Sequence, residues 1–122
     1  MGLLIWAETL TWPPSGQKMS LGTRTGKRYP NPRYSEWLNA NMPRVFSVLS
    51  LPPIDVPVLL KARFRAPTLR RYDLDNHVKP CQDLLQRAGV ILDDELFHKV
   101  HMEKVPVVKG EGGWVIVEIY SL

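Results

Sequence analysis

The sequence predicts a single α/β (α+β) domain over residues 1–122, a mixed β-sheet of about four to five strands packed with two main helices. Three observations carry that expectation. Residues 56–65 alternate apolar and basic side chains, the period of a half-buried strand. Residues 34–51 and about 77–88 place apolar side chains at helical spacing. Residues 114–120, WVIVEIY, are β-branched and aromatic on both faces, as a central or covered strand is. With 122 residues, 44% of them apolar and 23% charged, the chain is long enough for one core and ordinary for a folded protein.

Taken in order, residues 3–12 form a first strand rich in Ile, Trp, Thr and Leu. Pro13-Pro14 ends it, because neither proline can donate to a ladder. Residues 16–33 read as a loop punctuated by Gly16, Gly22, Gly26, Pro30 and Pro32, and a basic loop of 18 residues in so small a domain is expected to be functional or mobile rather than idle. The helical spacing over 34–51 sets Trp37, Leu38, Met42, Val45, Phe46 and Leu49 along one side, with Pro43 either kinking one helix or opening a second. The next strand turns Val58, Leu60, Ala62 and Phe64 one way and Lys61, Arg63 and Arg65 the other. A helix over about 77–88 follows, with Val78, Cys81, Leu84, Leu85 and Ala88 as its apolar stripe. Asp75 or Asn76 is its expected N-cap, Pro80 falls in its first turn and Gly89 stops it. Residues 98–105 form a strand joined to the last one in a hairpin through the glycine-rich turn at 109–113.

The net charge of +4, with a pI near 9.4, favours a polyanionic partner. Five basic residues (Lys18, Arg24, Lys27, Arg28, Arg33) fall in 16–33 and five more (Lys61, Arg63, Arg65, Arg70, Arg71) in 56–71, with no acid in either stretch. The single cysteine, Cys81, excludes an internal disulfide and suits a reducing cytoplasm. No run approaches the roughly 20 apolar residues of a membrane span, and MGLLIWAETL lacks the basic start of a signal peptide. An intracellular protein without a membrane partner is expected. Walker A, Rossmann and nucleophile-elbow patterns are absent, and Asp73-Leu74-Asp75 fails as an EF-hand because Val78 and Leu84 replace its glycine and glutamate.

The acids concentrate instead in residues 70–95, RRYDLDNHVKPCQDLLQRAGVILDDE, as the pairs Asp73/Asp75 and Asp93/Asp94. In an extended segment Asp73 and Asp75 point to one side. A helix over 77–88 carries the chain roughly 18 Å away at 1.5 Å per residue. An extended 90–94 brings it back about 16 Å at 3.3 Å per residue. Asp93 and Asp94 are then expected beside the helix N-terminus. Clustered carboxylates repel one another, and a divalent cation removes that penalty. Hard oxygen donors favour Mg²⁺, with Mn²⁺ as a substitute, and such an ion activates water against a phosphodiester. Lys79, about one turn from Asp75, is placed to act on the phosphate. The plainer alternatives are a helix cap at Asp73 and Asp75, a Lys79–Asp83 pair, and a simple turn at Asp93-Asp94.

Asp73-Leu74-Asp75-Asn76, then Lys79, Ala88-Gly89 and Leu92-Asp93-Asp94, resemble the RusA family of Holliday-junction resolvases. Trp12-Pro13-Pro14-Ser15 and residues 104–113 with the closing strand share the likeness, which spans most of the chain and is closest over 70–117. The resemblance implies a cytoplasmic, bacterial or phage-encoded, Mg²⁺-dependent endonuclease. As a homodimer it would resolve four-way DNA junctions by paired symmetric nicks in recombination and repair. It implies Asp73, Asp75 and Asp94 as metal ligands, Asp93 as a neighbouring acid and Lys79 as the functional lysine. Arg70 and Arg71 match DNA-contacting positions, and Lys18, Arg24, Lys27 and Arg28 are expected to grip the backbone as well. The residue before this motif is often basic in the family and is Tyr72 here, suited either to stacking on an unpaired base or to packing. A non-catalytic protein that binds branched DNA and keeps the fold is the alternative, and the complete acidic set argues against it.

Overall fold

The computed structural model describes residues 2–16, 19–22, 25–47 and 52–122. The expected alternation becomes a sheet of four strands, β1 (Leu4–Thr11), β4 (Val58–Arg65), β5 (Phe97–Lys104) and β6 (Trp114–Ser121), in the order β1-β6-β4-β5. Two helices, α1 (Pro32–Ser47) and α2 (Leu74–Arg87), complete the domain, with a small hairpin of β2 (Ser20–Gly22) and β3 (Arg28–Pro30). The α+β expectation holds. Val58, Leu60, Ala62 and Phe64 of β4 and Val115, Val117 and Ile119 of β6 are buried against Val78, Cys81, Leu84 and Leu85 of α2 and Trp37, Leu38 and Val45 of α1. Burial pushes the Cys81 thiol well above its usual range, so it packs as a small hydrophobe.

β6 lies between β1 and β4, as its two apolar faces require. The expected hairpin of the last two strands is not formed. β5 pairs with β4 in parallel, whereas β6 runs antiparallel to both β4 and β1. A parallel pair needs a crossover, and α2 supplies it, which commits β5 to the outer edge of β4. Residues 105–113 then carry the chain over β4 to its other side. The sheet face away from the helices carries Arg63 and Arg65, but both are tied in ion pairs: Arg63 with Glu103 and Glu118, Arg65 with Glu111. The basic face of β4 is therefore largely neutralised within the fold.

Residues 16–33, read as loop, contain β2 and β3, with Gly26 in the left-handed region at φ 83° in their turn. Helix α1 takes in Pro43, while the last residues of the expected 34–51 segment, 48–51, lie outside the described residues. Buried Asn41 ties α1 to the edge strand. Its Oδ1 accepts from the Thr11 amide at 2.9 Å, and its Nδ2 donates to Thr11 Oγ1 and to the Trp37 carbonyl, each at 2.8 Å. That contact occupies one backbone amide of an edge strand, that of Thr11.

Candidate active site

Helix α2 starts at Leu74, earlier than its apolar stripe suggests, because Leu74 itself packs on the core. Asp73 is therefore the N-cap residue (φ −102°, ψ 130°), and Asp75 lies inside the first turn. The expected extended, same-side pair is replaced by two carboxylates at the positive end of a helix, where the macrodipole favours negative charge. Asp73 does not act as a cap, since its side chain accepts no hydrogen bond from the first turn. Both carboxylates are exposed, and among the described residues neither has a hydrogen-bond or ion-pair partner. Lys79 follows one turn later, also exposed and unpartnered among the described residues. Asp83, its alternative partner, is taken by the Tyr34 hydroxyl and by Arg87 Nε at 2.7 Å. Burial, then the Asp83 carboxylate, pushes the Tyr34 phenol far above its usual range.

Pro80 lies in the middle of α2 rather than its first turn. Lacking an N–H, it leaves the Asn76 carbonyl without its intrahelical donor. Gly16 approaches there: a Cβ on it would stand 2.9 Å from the Asn76 oxygen and 3.1 Å from Lys79 Cβ. The Trp12–Pro13–Pro14–Ser15–Gly16 segment thus lies against the turn that carries Asp75 and Lys79. Pro13 is buried and Trp12 half-buried, with its ring 5.0 Å from those of Tyr72 and His77. His77 is buried, its Nδ1 donating to the Asp73 carbonyl at 3.0 Å.

Tyr72 packs. Its ring is edge-on to Trp12 and His77, and Lys104 Nζ sits 4.2 Å over it while donating to the Tyr72 carbonyl at 2.8 Å. Lys104 thereby fixes the residue before Asp73. Nothing local in the sequence marks that role, because the contact arises from β4–β5 pairing across 32 residues.

The return of the chain stops short of the helix N-terminus. Val90 N–H bonds to the Leu85 carbonyl, and Ile54 N–H and C=O pair with Val90 and Leu92, anchoring 90–92 near the C-terminal half of α2. Residues Asp94–Leu96 then wind into a 3₁₀ turn, which advances about 2 Å per residue instead of 3.3 Å. The Asp94 amide donates to Gln86 Oε1 at 2.9 Å. Gln86 is eleven residues past Asp75, roughly 16 Å along the axis. Asp93 is committed as the cap of this turn, accepting from the Glu95 amide at 3.0 Å. Desolvation, then Asp93 and Asp83, raise the Asp94 carboxyl above the usual range.

Among the described residues no group of three His, Cys, Asp or Glu side chains forms a ready metal shell. The donors still fit a hard divalent cation in part: Asp73 and Asp75 offer free carboxylate oxygens at a helix N-terminus, with neither sulfur nor imidazole among them. Of the basic residues expected on DNA, Arg70 and Arg71 are exposed, and their guanidinium groups have no partner among the described residues. Arg28 donates to Ser20, and Lys27 also interacts within the fold. Lys18 and Arg24 lie outside the described residues. Beside Asp73 opens a cleft of about 670 Å³ that includes Trp12, Trp37, Tyr72 and His77 in its lining.

Residues 12–120 match the family model of endodeoxyribonuclease RusA. The chain is similar to a crossover junction endodeoxyribonuclease RusA of Escherichia coli O139:H28, 33% identical over 103 residues and 84% of each chain. It is similar to the protein of that name from Enterobacteria phage 82, 33% identical over 104 residues and again 84% of each. A relative of the same name from Aquifex aeolicus is 30% identical over 91 residues, 75% of this chain and 71% of its own.

Proposed function

This chain belongs to the RusA family of endodeoxyribonucleases, and we propose that it is a Mg²⁺-dependent, structure-selective endonuclease acting as a homodimer on four-way DNA junctions by paired symmetric nicks. One observation carries the reading. At the cap and first two turns of α2, the side chains of Asp73, Asp75 and Lys79 are left without partners among the described residues, while Asp83 and Asp93 are committed to the fold.

Asp73 and Asp75 would hold the cation, with Mn²⁺ as a substitute for Mg²⁺. When bound, it supplies an activated water and charge stabilisation at the phosphate. Lys79 binds the non-bridging phosphate oxygens from one turn away and offsets the charge that grows on them. Arg70 and Arg71 hold the DNA backbone beside the cut. Lys104 and Tyr72 keep the segment before Asp73 in place. Asp94 is the third ligand in this reading, and a two-fold dimer provides two copies of it. Mixing Asp75→Asn with Asp94→Asn protein decides which copy serves: restored nicking assigns the ligand to the partner, and continued inactivity assigns it to the same chain.

The reading is tested with labelled four-way and linear duplex DNA, each with and without Mg²⁺. Symmetric nicks confined to the branched substrate and to the Mg²⁺ sample are expected. Junction binding without nicking in Mg²⁺ or Mn²⁺ would contradict it and leave a binding protein of the same fold.

A further inference from the structure

Eight arginines fall among the described residues, and five of them are spent on the fold. Arg28 donates to Ser20, Arg44 to the Thr9 carbonyl, Arg63 pairs with Glu103 and Glu118, Arg65 with Glu111, and Arg87 with Asp83. The guanidinium groups of the other three, Arg33, Arg70 and Arg71, have no partner among the described residues. All three line one cleft, the one that reaches Asp73. They come from different parts of the chain. Arg70 and Arg71 follow β4, whereas Arg33 is held at the start of α1, where its amide donates to Asn31 Oδ1 at 3.1 Å.

Three guanidinium forks around one opening match a phosphate, which they can grip in bidentate fashion. The rest of the lining includes Trp12, Pro13, Trp37 and Pro67, an apolar wall suited to a nucleobase. Tyr72 lines the cleft as well, with Lys104 over one face of its ring. At about 670 Å³ the cleft is of the size that takes a small molecule and is too small for a duplex.

We propose that this cleft receives one unstacked nucleotide of branched DNA, its phosphate held by Arg33, Arg70 and Arg71 and its base against the Trp12 wall, beside the phosphate presented to Asp73. The inference rests on the endonuclease reading above and supplies its selectivity. A branch point gives up a stacked base at lower cost than a continuous duplex does, so the cleft reads structure without reading sequence.

The test places 2-aminopurine, whose fluorescence rises on unstacking, at each branch nucleotide of a four-way junction and at matched linear positions. Wild-type protein is added to saturation without divalent metal, and cutting in Mg²⁺ is followed in parallel. A rise of about two-fold or more at one branch position, absent from linear DNA, is expected. Arg33→Ala weakens it and Arg33→Lys restores part of it. Thr68→Trp, which fills the cleft from an exposed turn, abolishes it, with folding of each variant checked by thermal melting. Millimolar deoxynucleoside monophosphate leaves the signal in place. Displacement by that competitor would mark a free-nucleotide site and overturn the proposal, as would a rise that survives Thr68→Trp. Cutting without any rise sinks the cleft alone. A rise without cutting upholds the cleft and sinks the nuclease reading.

Discussion

The two ends of α2 differ in how they use their charged side chains. At the N-terminal end Asp73, Asp75, Lys79, Arg70 and Arg71 are exposed and unpartnered among the described residues. At the C-terminal end Asp83 clamps Tyr34 and Arg87, Asp93 caps a 3₁₀ turn, and the Asp94 amide is held by Gln86. The two acids of the first end have side chains without partners among the described residues, while most of the three at the second end stabilise the fold. Among the described residues the fold separates unpartnered charge from structural charge. Asp94 is the exception: its carboxyl is crowded by Asp93 and Asp83, and the ligand role proposed for it would bring the C-terminal end into the chemistry.

If that division is right, substitutions at the two ends fail differently. Asp94→Asn is expected to lower junction cleavage by more than about 100-fold with binding retained, comparable to removing a metal-site contact. Cleavage at the wild-type rate would confine the chemistry to the N-terminal end. Lys79→Met is expected to cost about 100-fold in kcat with little change in junction affinity, the loss for one transition-state donor. A change in affinity alone would make Lys79 a binding residue. Arg71→Ala should weaken junction binding several-fold and reduce the salt slope by about 1, as loss of one phosphate contact does. An unaltered slope would remove Arg71 from the backbone interface. Tyr34→Phe is expected to lower stability by about 1 kcal/mol, roughly 3–5 °C in Tm, and to leave binding and cleavage unchanged. Loss of activity at unchanged Tm would put the C-terminal clamp in the site.

Elements with one clear period were legible in the sequence. β4 and β6 followed from alternation and apolar composition, and the helices from their stripes. Pairing was not legible. The hairpin of the last two strands looked reasonable locally, but a parallel β4–β5 pair is set by the α2 crossover, which no local pattern records. The acids were legible as a cluster in sequence, but not as individuals. Whether Asp93 or Asp94 caps the turn depends on where 90–92 is anchored, and that depends on Ile54, 37 residues upstream of Ile91. Tyr72 was undecidable for the same reason, because its partner Lys104 arrives through the sheet.

The most direct test compares Asp75→Asn with wild type on one labelled four-way junction, measuring binding and Mg²⁺-dependent nicking side by side at matched Tm. Retained binding with nicking abolished is the predicted result. Nicking at the wild-type rate by correctly folded Asp75→Asn would contradict the assignment of the free N-terminal acids to the metal.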